Sequence, residues 1–121
     1  MMNKPMDILE RTKQFALRII RLYSALPKTT EAQVLGKQIL RSGTSVGAQL
    51  REAKRSRSDA EMISKTESAL QELEETVYWL ELLTDSGIVK PKLLSDLMQE
   101  ADELTAILVA SVKTIKKRRA K

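Results

Sequence analysis

The stretch Arg41-Ser-Gly-Thr-Ser-Val-Gly-Ala-Gln-Leu-Arg-Glu-Ala53 decides how this chain folds. Val46, Leu50 and Ala53 keep an apolar rhythm of helical period, while Ser, Gly and Thr fill the positions around them. Each Gly costs a helix interior about 1 kcal/mol relative to Ala. Ser and Thr compete for backbone hydrogen bonds. A helix facing water gains nothing for that cost. One whose backbone must lie close against a neighbour does gain, so Gly43 and Gly47, one turn apart, are expected on a contact face within a bundle or between subunits.

Working outward, the same helix carries the stripe Val34, Leu35, Ile39, Val46, Leu50 and Ala53 over residues 31–56, with Thr30 and Gln33 as a capping box. Ahead of it, Ile8, Thr12, Phe15, Ile19, Leu22 and Leu26 predict a first helix over 5–26 that stops at Pro27. Beyond it, Ser58-Asp-Ala-Glu61 is a second capping box and opens a helix over 59–85. Its inner face is Met62, Thr66, Ala69, Leu70, Leu73, Val77, Leu80 and Leu83, and Ser86-Gly87 supplies the stop. Pro91 suits the first turn of a fourth helix over 91–118, striped by Leu94, Leu97, Ala101, Leu104, Leu108, Ser111 and Ile115. Nothing reads as a strand. Connections of a few residues make sequential helices antiparallel, so the chain, 1–121, is read as one all-α, up-down antiparallel four-helix bundle.

Composition narrows the chemistry. The 121 residues include no Cys and no His. That removes thiolate nucleophiles, the commonest general base, the commonest metal ligand and the Glu-x-x-His metal bundles. Gly36, Gly43 and Gly47 follow no strand and match no phosphate-binding loop. The reading is of a non-enzymatic protein with no cofactor and no metal. No window approaches the roughly 20 apolar residues of a membrane span, so a cytoplasmic protein without a membrane partner is expected.

Charge is unevenly distributed. The chain carries 21 Lys and Arg against 16 Asp and Glu, for a net charge of +5. Residues 59–86 alone hold eight acidic side chains and one basic, whereas the flanking segments are each basic. Glu72, Glu74 and Glu75 are expected to cluster beside the apolar stripe of helix three, within reach of Arg41 on helix two. In an up-down bundle the loop between helices two and three shares a pole with both termini. Arg51, Lys54, Arg55 and Arg57 are therefore expected near Lys113, Lys116, Lys117, Arg118, Arg119 and Lys121. Such a patch could neutralise phosphates of RNA or DNA. The same cations also offset helix macrodipoles by about 0.3–1 kcal/mol each and aid solubility. A protein-interaction scaffold that binds no nucleic acid is thus the rival reading.

The segment Val77 to Leu83 is apolar nearly all round, with Tyr78 and Trp79 off the inner stripe. Either it packs widely against two flanking helices, or it contributes to a subunit interface, where such aromatics are enriched.

The run from Arg41 to Ala53, taken with Ser68-Ala-Leu-Gln-Glu-Leu-Glu-Glu-Thr-Val-Tyr-Trp-Leu80, resembles the bacterial four-helix bundle family named for proteins encoded in intervening sequences of large-subunit ribosomal RNA genes. The resemblance covers nearly the whole chain. It implies a ring-shaped homo-oligomer, typically a homopentamer. It also implies similarity to the accessory protein of diversity-generating retroelements, a basic pentameric bundle that associates with a reverse transcriptase and nucleic acid. Arg41, Glu52, Glu72 and Glu75 match the family's polar positions and are read as buried or interface pairs that set register. Gln49 stands where many members carry Asn, a change that alters the reach of a helix–helix hydrogen bond.

Overall fold

Each helix begins and ends where side-chain chemistry closes it. The computed structural model describes residues 7–120, in four helices: α1 (Ile8–Ala25), α2 (Thr30–Lys54), α3 (Asp59–Asp85) and α4 (Pro91–Arg119). Helix α1 starts later than position 5 because the Asp7 carboxylate accepts the Glu10 N–H at 2.9 Å and caps it; positions 5 and 6 lie outside the described residues. It ends at Ala25, where Leu26, just before Pro27, turns to extended backbone. The cap of α2 is Thr29 rather than Thr30, its hydroxyl accepting the Ala32 N–H at 3.3 Å. Gln33 is freed from any capping box: it donates to the Pro27 carbonyl at 2.8 Å and accepts from the Tyr23 hydroxyl at 3.1 Å. Helix α2 stops at Lys54, two residues short of expectation, and Ser58 caps α3 by accepting the Glu61 N–H at 3.1 Å.

Gly87 closes α3. Its φ of +80° is the left-handed conformation that a Cβ disfavours. Its N–H reaches the Thr84 carbonyl and the Ile88 N–H reaches the Leu83 carbonyl, each at 3.0 Å, the paired bonds of a Schellman stop. Pro91 then sits in the first turn of α4, where a missing N–H costs nothing.

Packing is sequential. Helix α2 packs most extensively on α3; α1 lies on α2, α4 lies on α3, and α1 meets α4 least. The backbones of neither diagonal pair approach closely, so the helices occupy the four corners of an up-down bundle. Phe15, Ile19, Ile39, Val46, Leu73, Leu80, Leu83, Leu104 and Leu108 form its buried centre.

Three helices depart from the expected stripes. Val34 points outward, 57 % exposed, because the α2 interior follows Ala32, Leu35, Gly36 and Ile39. On α4 the buried residue after Leu108 is Val112, and Ser111 faces solvent; a four-residue step there is followed by the three-residue step to Ile115. On α3, Ile63 and Thr76 are buried, whereas Met62, Leu70 and Val77 sit half-exposed at the edges.

The glycines of α2 face α1. A Cβ on Gly43 would stand 2.8 Å from Cγ1 of the fully buried Ile19, and one on Gly47 would stand 3.1 Å from Thr12 Oγ1. The close approach inferred from the small-residue run is therefore between α1 and α2 of one chain. Ser42, next to Gly43 but turned about 100° away, is fully buried against Thr76 of α3. One run of small residues thus serves two neighbours.

Candidate nucleic-acid interface at the basic pole

The pole is built by three chain ends that short-range chemistry brings together. A four-residue connection, 55–58, turns α2 into α3, and the antiparallel course of α4 returns its last turn to the same place. The contact is direct: Arg118 grips Asp59 with a two-pronged bond, Nη2–Oδ1 at 2.7 Å and Nε–Oδ2 at 3.3 Å. That hydrogen bonding, with the added charge of Arg118 and Arg119, holds the Asp59 carboxyl below its ordinary range. Two residues earlier, Lys116 reaches Glu67 at 3.4 Å. Beneath these pairs Ile63, Val112 and Ile115 form a small apolar cluster that fastens the end of α4 to α3.

These pairings divide the expected cations into two groups. Lys116 and Arg118 are engaged by α3. Arg51, Lys54, Arg55, Arg57, Lys113, Lys117 and Arg119 are exposed and make no ion pair among the described residues. Lys121 lies outside the described residues. Glu52, the one acidic residue between Arg51 and Arg57, is drawn to α3 by Lys65 at 3.0 Å. Arg51, Lys54 and Arg55 border a surface depression of about 500 Å³ together with Leu9 and Glu52. Cations at the C-terminal ends of α2 and α4 also meet the negative end of each macrodipole. Chemically, the pole is a cluster of undirected positive charge suited to phosphates.

The remaining singled-out residues lie along the sides of the bundle. Arg41 bridges α2 to α3, with Nη1–Oε2 of Glu72 at 3.2 Å and Nη2 on Glu75. The Trp79 indole N–H donates to the same Glu75 carboxylate at 3.1 Å. Gln49 is half-buried on α2. Tyr78 is 54 % exposed, its ring edge-on to Trp79 with centroids 5.1 Å apart.

Sequence reasoning missed Arg11, whose guanidinium spans the sparse α1–α4 seam to Glu100 at 2.6 and 3.0 Å and to Glu103 at 3.2 Å. It also missed Lys65 and the Ile63–Val112–Ile115 cluster. The acidic pair Glu100 and Glu103, at helical spacing on α4, was the available signal for a partner on α1. Among the described residues, no helix is long and apolar enough to cross a membrane.

Comparison with known proteins adds the lineage. The family model described as 23S rRNA-intervening sequence protein matches residues 4–110. The match takes in Arg51 to Arg57 and stops before Lys113. A crystal structure from Bacteroides thetaiotaomicron, of a protein with unknown function from the S23 ribosomal protein family, is 37 % identical. The alignment covers 88 % of this chain and 99 % of that one, with a TM-score of 0.83. A comparison with curated proteins finds no match.

Proposed function

The chain belongs to the 23S rRNA-intervening sequence protein family, and from that premise we propose a non-enzymatic, homo-oligomeric four-helix bundle that works in the cytoplasm and contacts RNA or DNA through its basic pole. The observation that carries this reading is the imbalance at one end of the bundle. Seven exposed cations there have no carboxylate partner among the described residues, and the acids Glu52 and Asp59 are held by Lys65 and Arg118. An array built only to balance helix dipoles would not need the loop residue Arg57, beyond the end of α2. The resemblance to pentameric relatives supports a ring of five copies, which would repeat the pole around an axis and multiply its phosphate contacts.

Anisotropy titrations of labelled structured RNA and duplex DNA, each at two salt concentrations, test the proposal. About four phosphate contacts give a slope of roughly −3 to −4 in log affinity against log salt. Arg55→Glu with Lys117→Glu flattens that slope and weakens binding to both probes. Unchanged binding in the double variant removes the pole from the account. Arg55 lies within the family match and Lys117 beyond it, so the single variants apportion the effect between the two clusters.

A second reading has its own support in the exposed Tyr78 beside Trp79. A scaffold that recruits a protein partner through this ridge would bind neither probe in a salt-sensitive way.

A further inference from the structure

Two outward faces of this bundle combine apolar side chains with opposite charge. On α1, Leu17 is 36 % and Ile20 42 % exposed. Lys13 and Arg21 stand one turn before and one turn after Leu17, both exposed and without an ion pair among the described residues. On α3, Tyr78 is 54 % exposed, with Trp79 and Leu82 half-buried beside it. Glu74 and Glu81 lie one turn to either side of Tyr78, exposed and equally unpaired among the described residues.

The acidic face is ordered in advance. The Trp79 indole is fixed by its bond to Glu75, and its ring meets Tyr78 at a 60° interplanar angle. Immobilising these side chains on docking therefore costs little further entropy. Val34 of α2, 57 % exposed, widens the apolar strip by sharing a surface depression with Leu82 and Asp85. Each partner in a stable interface contributes about 800 Å², more than one tyrosine can supply, and this added breadth matters for that reason.

We infer that the basic α1 face of one copy docks on the acidic aromatic α3 face of the next copy. This rests on the homo-oligomeric reading above and specifies its contact. A second copy is the occupant because the two faces complement each other in charge while each repels its own kind. They cannot meet within one molecule, since both faces turn outward on α1 and α3 at opposite corners of the bundle. Unlike faces on one chain join head to tail, the heterologous arrangement whose closed form is a ring. An isologous dimer would instead press Lys13 and Arg21 against their own copies.

The test is sedimentation velocity on the full chain at micromolar concentration, with circular dichroism melts to show that each variant folds. All four charges to be changed are exposed, so the fold is expected to persist. Wild type sediments as an oligomer. Lys13→Glu with Arg21→Glu brings the mass down to one chain, 13.7 kDa, and Glu74→Lys with Glu81→Lys does the same. Combining all four changes restores the oligomer, because the swapped charges again face one another. A wild-type oligomer indifferent to both double variants overturns the face assignment and leaves the oligomeric reading standing. A monomeric wild type overturns both, whether or not another protein covers Tyr78.

Discussion

The hydroxyls of Thr76 and Ser42 lie 2.8 Å apart in the fully buried seam between α2 and α3. Ser42 Oγ is also 2.9 Å from the Gln38 carbonyl, and Thr76 Oγ1 is 2.7 Å from the Glu72 carbonyl. Two protons serve three short oxygen contacts, so the hydroxyls act as one chain, with a single proton between them. At any moment one hydroxyl donates to the backbone of its own helix and the other donates across the seam. The bond across the seam fixes the rotation of α2 against α3, within one turn of the Arg41 bridge to Glu72 and Glu75.

Thr76→Val keeps the buried volume and removes one hydroxyl. It is expected to cost about 1 kcal/mol in urea unfolding, the usual net value of one intramolecular hydrogen bond. Ser42→Ala should cost a similar amount. The double variant should lose less than the sum of the singles, since both remove the same central bond.

Gly43 and Gly47 have different tolerances. Ile19 is β-branched and fully buried, so the 2.8 Å approach of a Cβ at Gly43 cannot be relieved by swinging a flexible chain end aside. Gly43→Ala should destabilise by about 1–2 kcal/mol, overpacking outweighing the helix propensity gained. Gly47→Leu should do more damage, because Thr12 is pinned by bonds to the Ile8 and Leu9 carbonyls at 2.8 and 3.1 Å. Lys37→Ala, on the exposed side of the same helix, should leave the melt within about 0.5 kcal/mol of wild type.

Arg11 is the clasp of the weakest seam. Its side chain is 26 % exposed and that of Glu100 is 18 % exposed, so water screens the pair only in part. Arg11→Met keeps the aliphatic stem and leaves Glu100 and Glu103 to repel. The expected loss is about 1–2 kcal/mol in low salt, shrinking as salt rises. Hydrogen exchange should show the earliest new opening at the N-terminal half of α1.

The Asp59–Arg118 pair predicts an acid dependence of definite sign. The hydrogen bond from Arg118 lowers the folded-state pKa of Asp59. The stability this adds is present above the ordinary carboxylate value, near 3.9, and is lost as pH falls through the lowered folded-state value. A carboxyl-carbon NMR titration should place the Asp59 midpoint below that ordinary value. Arg118→Gln should return it upward and fray the last turn of α4, while leaving the seven unpaired cations of the pole in place.

Local chemistry made most of the fold legible. The apolar rhythm, the Pro27 and Gly87 stops, the Ser58 cap and Pro91 each act within a few residues, so the number, order and antiparallel sense of the helices follow from the chain read in one dimension. The convergence of Arg51–Arg57 with Lys113–Arg119 was legible for the same reason: it needs only helix count and short loops. The affiliation rested on the Arg41–Ala53 and Ser68–Leu80 runs, both within the matched region.

Tertiary structure decided everything that depends on how each helix is rotated about its own axis. One residue turns a helix face by about 100°, so apolar periodicity leaves Val112 and Ser111 as rivals, and both Val34 and Leu35 as stripe members. Only packing against α3 buries Val112, and only the neighbours of α2 turn Val34 to solvent. The same rotation sends Gly43 to α1 and its neighbour Ser42 to α3. Which cations are spent on Asp59 and Glu67, and which remain for a phosphate, depends on side chains that lie 59 and 49 residues apart in sequence. Partners so distant leave no periodic trace, because their meeting is set by the packing of whole helices.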